Sequence, residues 1–132
     1  MKSKVIETQT AKIILDEDGF IRYNVLPGAE VTIEDVKAYV RIPVELIKEE
    51  KLLNLTDMRE IKSITREARD YLVGDEATKI TKACALLVSS PLSKVIGNIF
   101  LGLNKPVYPT KIFTSEEKAL EWLRGFVNNK ES

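Results

Sequence analysis

The sequence contains no histidine, and this absence restricts its chemistry more than any other. Ser–His and Cys–His dyads, histidine zinc sites and the commonest general acid–base group are all excluded. An enzyme built on this chain would have to use carboxylates, lysines or backbone donors. Because no nucleophile with a recognisable base partner stands out either, we expect a protein that is not an enzyme and that uses no cofactor.

Cysteine is almost absent, since Cys84 is the single one and no internal disulfide can form. It lies in the apolar run ACALLV, which predicts a small buried core residue rather than a reactive thiol. A nucleophilic cysteine needs an electropositive and partly exposed setting. Nothing near Cys84 in the sequence supplies one.

An excess of positive charge is also missing, because lysine plus arginine and aspartate plus glutamate both total 20. This balance argues against a general nucleic-acid binder. No apolar run reaches the ~18 residues of a membrane span, and the N-terminus does not resemble a signal peptide. We therefore expect a cytoplasmic protein. Its 132 residues suit one domain, 1–132, with an ordered core over about residues 10–127.

The apolar patterns that are present alternate between strand and helix periods. Ala11–Leu15 and Phe20–Leu26 flank DEDG and predict a β-hairpin, because Asp-Gly suits a tight turn. A helix follows, which Pro43 should kink or split. Leu52–Thr56 predicts another strand, and Ala83–Val88 is apolar on both faces, as a central parallel strand is.

The C-terminal part adds two further elements to this order. TKIF predicts a short strand, and TSEEKALEWLRGFV predicts a helix capped by Thr114. The complete order is β-β-α-β-α-β-α-β-α. It predicts an α/β domain with a mixed sheet and with helices packed on that sheet.

The segment PLSKVIGNIFLGLNKP, 91–106, predicts an unusually apolar helix. Ser89 or Ser90 can cap it. At about 100° per residue, one face is wholly apolar, and we expect it to cover the sheet. This predicted inner face comprises Leu92, Val95, Ile96, Ile99 and Leu103.

The rest of this helix is too apolar to face water comfortably. Its candidate contact residues are Gly97, Asn98, Phe100, Leu101 and Gly102. Three interpretations remain open. In the first, these residues form a homodimer or protein-partner contact, with Gly97 permitting close approach. In the second, they help to hold a small apolar or lipid-like ligand. In the third, the segment GLNKPVYP folds back and covers Leu101.

The stretch LLNLTDMREIKSITREA places a strand, an aspartate, a loop, a serine and a helix in succession. With the order of elements and the tail from SSPLSKVIG to ALEWL, it resembles the STAS family, particularly small SpoIIAA-like bacterial domains. The resemblance covers about residues 10–127. It implies a SpoIIAA-like fold and a non-catalytic regulatory or protein-binding role, which some members switch by phosphorylating a serine.

The resemblance aligns that serine with Ser63, although Lys62 stands where the family has an aspartate. A phosphate at a helix N-terminus would meet free amides, and Lys62 and Arg66 could add charge. The alternative is that Ser63 or Thr65 only caps the helix. Asp57, at a strand end, could form a polar site with Lys62, or could simply cap its own turn.

Overall fold

A computed structural model describes residues 3–16, 19–46 and 51–127 of the chain. Within these ranges it is a mixed α/β domain, which confirms the predicted fold class. A π-helical turn, Phe100–Asn104, continues the fourth helix. The elements are β1 Ser3–Glu7, β2 Ala11–Asp16, β3 Phe20–Val25, β4 Glu30–Val31, α1 Ile33–Leu46, β5 Leu52–Asp57, β6 Ser63–Ile64, α2 Arg66–Leu72, α3 Asp75–Ile80, β7 Thr81–Leu87, α4 Pro91–Ile99, β8 Thr110–Phe113 and α5 Glu116–Arg124.

Six strands form the main sheet in the order β1-β2-β3-β5-β7-β8. The first two pairings are antiparallel, and the other three are parallel, so β7 is the central parallel strand that its sequence predicts. Strands β2 and β3 form the predicted hairpin. Gly19 in its turn has a φ of 91°, which favours glycine, whereas Glu17 and Asp18 lie outside the described residues.

The structure differs from the sequence expectations at several local points. Strand β1 begins at Ser3, before the expected core, and the short parallel pair β4–β6 was not predicted. Helix α1 runs through Pro43 without being split. Ser115, rather than Thr114, caps α5, because its side chain accepts a hydrogen bond from the Lys118 amide.

Alternation along the strands creates a core on each face of the sheet. Leu53 and Leu55 of β5 face α5, where Leu123 is completely buried. Leu52, which precedes them, and Asn54, which lies between them, point to the other face. That face packs against α1, α2, α3 and α4 and holds the larger of the two cores. The candidate site lies on this second face.

Candidate ligand-binding site

Helix α4 presents a different face to the sheet from the one that its apolar pattern predicts. Leu92, Val95 and Leu103 are 47%, 54% and 75% exposed. Gly97 and Phe100 are buried instead. The predicted inner face is therefore largely the outer face, and two of the predicted contact residues point into the protein.

Two small residues explain this orientation of α4. The Ser90 side chain accepts a hydrogen bond from the Ser93 amide, which confirms the predicted cap. The Ser93 hydroxyl accepts from the Ser89 amide and donates to the Ser90 carbonyl, so burying Ser93 leaves no polar atom unpaired. A Cβ atom on Gly97 would lie 3.2 Å from Ile112 Cδ1, so glycine allows α4 to lie close to β8.

A cavity of about 100 Å³ lies beneath α4. Its floor is formed by side chains of β3, β5 and β7, and its walls by α1, α2, α3 and α4. Ile96, Gly97 and Phe100 form the α4 wall, so two of the candidate contact residues line an internal space. Most of the other lining side chains are also apolar. The arrangement is that of a small-molecule pocket with few polar groups.

Hydroxyl groups near the cavity are engaged in hydrogen bonds. Tyr23 Oη donates to the Tyr39 carbonyl at 2.8 Å, and Tyr108 Oη donates to the Leu72 carbonyl at 2.6 Å. Thr56 Oγ1 donates to Asn54 Oδ1 at 2.7 Å. The side-chain amide nitrogen of Asn54, which also lies on the floor, makes no hydrogen bond to any part of the chain that the structure describes.

Cys84 lines the same cavity and is only 5% exposed. Burial raises the pKa of its thiol to about 12, and the nearby hydroxyl of Thr56 opposes this shift only in part. The thiol is therefore protonated at neutral pH, as a structural cysteine is, and is a poor nucleophile. Its predicted burial is confirmed.

The remaining candidate contact residues lie outside the cavity lining. Asn98 is exposed, and its side-chain amide donates to the Lys94 carbonyl at 2.8 Å. Gly102 is exposed, and Leu101 is half-buried. The structure thus divides the predicted set into an inward pair, Gly97 and Phe100, and three residues on other sides of the helix.

Asp57 and Lys62 are not brought together. Asp57 accepts hydrogen bonds from Arg59 Nη2 at 2.7 Å and Nε at 3.0 Å, and Arg22 Nη2 lies 3.8 Å away. Arg22 also makes a two-pronged contact with Glu116, with both distances 2.9 Å. The structure therefore places Asp57 in a four-residue ion network, where it also caps the Arg59 amide at 3.2 Å. Lys62 pairs with Glu30 at the surface.

This network shifts the pKa values of its two carboxylates downward. Burial would raise the pKa of Asp57, but hydrogen bonds and charge from Arg59, with the charge of Arg22, together outweigh it. The hydrogen bond from Arg22 is the main cause of the lowered pKa of Glu116. Both carboxylates are thus held ionised by arginines that they already bind, which is the behaviour of a structural cluster.

Thr65, not Ser63, caps α2. Its hydroxyl accepts a hydrogen bond from the Ala68 amide at 3.1 Å. Ser63 is exposed in β6, where it pairs with β4, and its amide donates to the Ala29 carbonyl. Phosphorylation of Ser63 stays a prediction, but a phosphate there would not occupy the cap position of the helix.

The cavity residues of β5 were not identified from the sequence as a site. Asn54 and Thr56 interrupt the apolar strand LLNLT, and both point to the helix-rich face. Both are only half-buried, although β5 lies inside the sheet and is covered by helices. The sequence indicated this site only through polar residues at strand positions that face the core. Whether such residues line a binding site depends on the cavity, which the sequence does not reveal.

Comparison with known proteins confirms the SpoIIAA-like fold. An uncharacterised protein of the DUF3478 family from Shewanella loihica PV-4, which has a SpoIIAA-like fold, is 18% identical over 92% of each chain, with a TM-score of 0.57. A protein of unknown function from Arthrobacter sp. FB24 is 34% identical over 85% of this chain and 97% of its own, with a TM-score of 0.32. No curated protein matches the chain.

None of the described helices is both long and apolar enough to cross a membrane. The family model described as "Domain of unknown function (DUF7793)" matches residues 13–127. This chain has a SpoIIAA-like fold, and since the match spans most of the sequence, it belongs to the DUF7793 family, a domain of unknown function.

Proposed function

We propose that this domain acts by binding rather than by catalysis, and that it holds a small apolar molecule beneath α4. The observation that carries the proposal is the cavity of about 100 Å³ between the sheet and the helices. Its lining is mostly apolar. An apolar ligand would therefore leave water for an environment of matching polarity, which is the main source of affinity in such sites.

The packing around the cavity supports this proposal. Protein interiors are close-packed, so an apolar molecule that fits the cavity would gain dispersion contacts with its apolar lining. Asn54 and Thr56 are half-buried although their strand is covered by helices, so water has access to the floor of the cavity.

The absence of catalysis is proposed on chemical grounds. The sequence has no histidine, and the raised pKa of Cys84 keeps its thiol protonated. The polar groups that line the cavity are hydroxyls, an amide and this thiol. Asp57 and Glu116 are engaged with arginines and do not line the cavity.

Titration of the isotope-labelled full chain with toluene, followed by amide NMR, tests this function. We expect saturable shifts centred on β5, β7 and α4. At ten times the dissociation constant, binding should stabilise the fold by about 1.4 kcal/mol, measurable as a raised melting temperature. Ala77→Leu should abolish both effects, because Ala77 lines the cavity and leucine adds three carbon atoms there.

Val95→Ala is the matched control, because Val95 is 54% exposed on the outer side of α4. It should bind toluene as the unaltered chain does. Shifts scattered over the surface, or equal binding by Ala77→Leu, would show that toluene does not occupy the cavity. Either result would overturn the proposed function.

A second candidate function, self-association, is favoured by the outer face of α4. Leu92 and Val95 lie three residues apart in α4 and are 47% and 54% exposed, and Leu103 and Val107 beyond the helix are 75% and 80% exposed. Exposed apolar side chains grouped in this way mark association sites. A second copy is the favoured occupant, because the balanced charge of 20 and 20 creates no net repulsion between copies.

Light scattering coupled to size-exclusion chromatography tests self-association. We expect a dimer at high micromolar concentration, and Val95→Asp should convert it to a monomer without unfolding it. Lys94→Asp is the control, since it introduces the same carboxylate at an exposed neighbouring position outside the apolar stripe, with a larger change in net charge, −2 against −1. A monomer at every concentration would exclude the homodimer.

A further inference from the structure

The floor of the cavity carries an amide group whose hydrogen-bond donors are not already used. Asn54 lies on β5 opposite Cys84 of β7, in the middle of the sheet. Its carbonyl oxygen accepts the hydrogen bond from the Thr56 hydroxyl. Within the described ranges, its amide nitrogen donates to nothing.

The polar groups around the cavity do not accept a hydrogen bond from this amide nitrogen. The backbone carbonyls that accept from Tyr23, Tyr108 and Thr81 belong to the helices that line the cavity. The Thr56 hydroxyl donates its proton to the Asn54 oxygen. The Asn54 N–H bonds are therefore available to whatever occupies the cavity.

We propose that Asn54 is the recognition residue of the cavity, and that the domain selects small, mainly apolar molecules carrying one hydrogen-bond acceptor, such as a carbonyl oxygen. This inference rests on the proposed ligand-binding function. A pure hydrocarbon would cover the Asn54 amide and leave it without any partner. A ligand with a suitably placed oxygen would replace the lost water, so the site discriminates between the two.

The Asn54 amide nitrogen carries two N–H donors, and these set the class of ligand that gains most. The Asn54 oxygen already accepts from Thr56, so the donors are the wholly unused groups. A ligand whose only polar group is a donor would leave both N–H bonds unpaired. Ketones, aldehydes and esters of compact shape fit this requirement, with the apolar body against the helices and the oxygen toward β5.

Methylenecyclohexane and cyclohexanone test the inference, since they have nearly the same shape and differ only in that the exocyclic CH2 group of the first is an oxygen atom in the second. Their dissociation constants are measured by amide NMR titration of the full chain and of two variants. Thr56→Val keeps the Asn54 donors, whereas Asn54→Leu/Thr56→Val removes both partners of the internal hydrogen bond together. Removing both partners avoids leaving one of them unpaired, which protects the fold.

The change in the ratio of the two dissociation constants between proteins is the readout, because the difference in hydrophobicity between the two ligands is the same for each protein and cancels. We expect the ratio to favour cyclohexanone about tenfold more in the unaltered chain and in Thr56→Val than in the double variant. If the double variant does not fold, Asn54→Met/Thr56→Val serves instead. Methionine has a flexible side chain that fills irregular space and carries no donor, so this variant should lose the same preference.

The possible failures are distinguishable. An equal ratio in all the proteins, with both ligands binding in the cavity, would overturn the role of Asn54 and leave the proposed function intact. Binding of neither ligand to the unaltered chain would overturn the proposed function and this inference together.

Discussion

At the scale of single residues, Gly97 sets the distance between α4 and the sheet. A Cβ atom there would lie 3.2 Å from Ile112 Cδ1 and 3.5 Å from Val88 Cγ1. Gly97→Val would place two further methyl groups in this space. We expect it to lower the free energy of unfolding by about 1–3 kcal/mol, as overpacked core substitutions do, measured by urea denaturation.

Gly102→Ala is the control for this substitution. A Cβ atom at Gly102 meets none of the described atoms within 4 Å, and the residue is exposed in the π-helical turn. Replacing a helical glycine without steric conflict should change stability by no more than about 1 kcal/mol, in the stabilising direction. If both variants lost the same free energy of unfolding, the conformational freedom of the backbone, and not the close approach of α4 to the sheet, would be the reason for glycine at position 97.

At the scale of elements, the main strands could be predicted well and the orientation of α4 could not. β2, β3, β7 and β8 carry alternating or continuous apolar patterns that are long enough to identify them. β1 was missed because its five residues, SKVIE, contain only two apolar ones. The two-residue strands β4 and β6 are defined by their pairing with each other, which no local pattern encodes.

The orientation of α4 was not predicted, because an apolar pattern reports where large apolar side chains lie. It does not report where small residues let the helix approach the sheet closely. Ser93 and Gly97 contribute little hydrophobicity, yet they occupy the buried face. The chain then changes to a π-helical turn from Phe100, so a constant 100° per residue no longer describes it. Gly97 and Phe100 were thus predicted as partner-contact or ligand-contact residues outside the sheet-facing stripe, whereas the structure places them on the buried face, at the cavity.

At the scale of the whole molecule, one ion network joins the sheet to α5. Arg22 of β3 binds Glu116 in the first turn of α5, and Arg59 joins Asp57 at the end of β5. These contacts connect segments that are 94 residues apart in the sequence. The sequence offered no sign of this pairing, because it depends on β3 and β5 lying side by side in parallel.

This network should make stability depend on pH. The pKa values of Asp57 and Glu116 are lowered in the folded protein, so the unfolded chain binds protons more readily. Their stabilising effect is complete above the unfolded pKa values, about 4, and is lost as pH falls through the lower folded values. Denaturant unfolding measured between about pH 6 and pH 2 should show this loss.

Arg22→Leu separates this network from the other carboxylates. Glu116 is 40% exposed, so solvent weakens the pair, and we expect the variant to lose no more than about 1 kcal/mol at neutral pH. It should also lose less stability on acidification, because the pKa of Glu116 returns toward its ordinary value. Arg41→Leu is the control, since it removes an arginine from a pair with Glu45 that is exposed on both sides. If Arg22→Leu and the unaltered chain lost stability in parallel down to about pH 2, the network would contribute nothing to the coupling between α5 and the sheet.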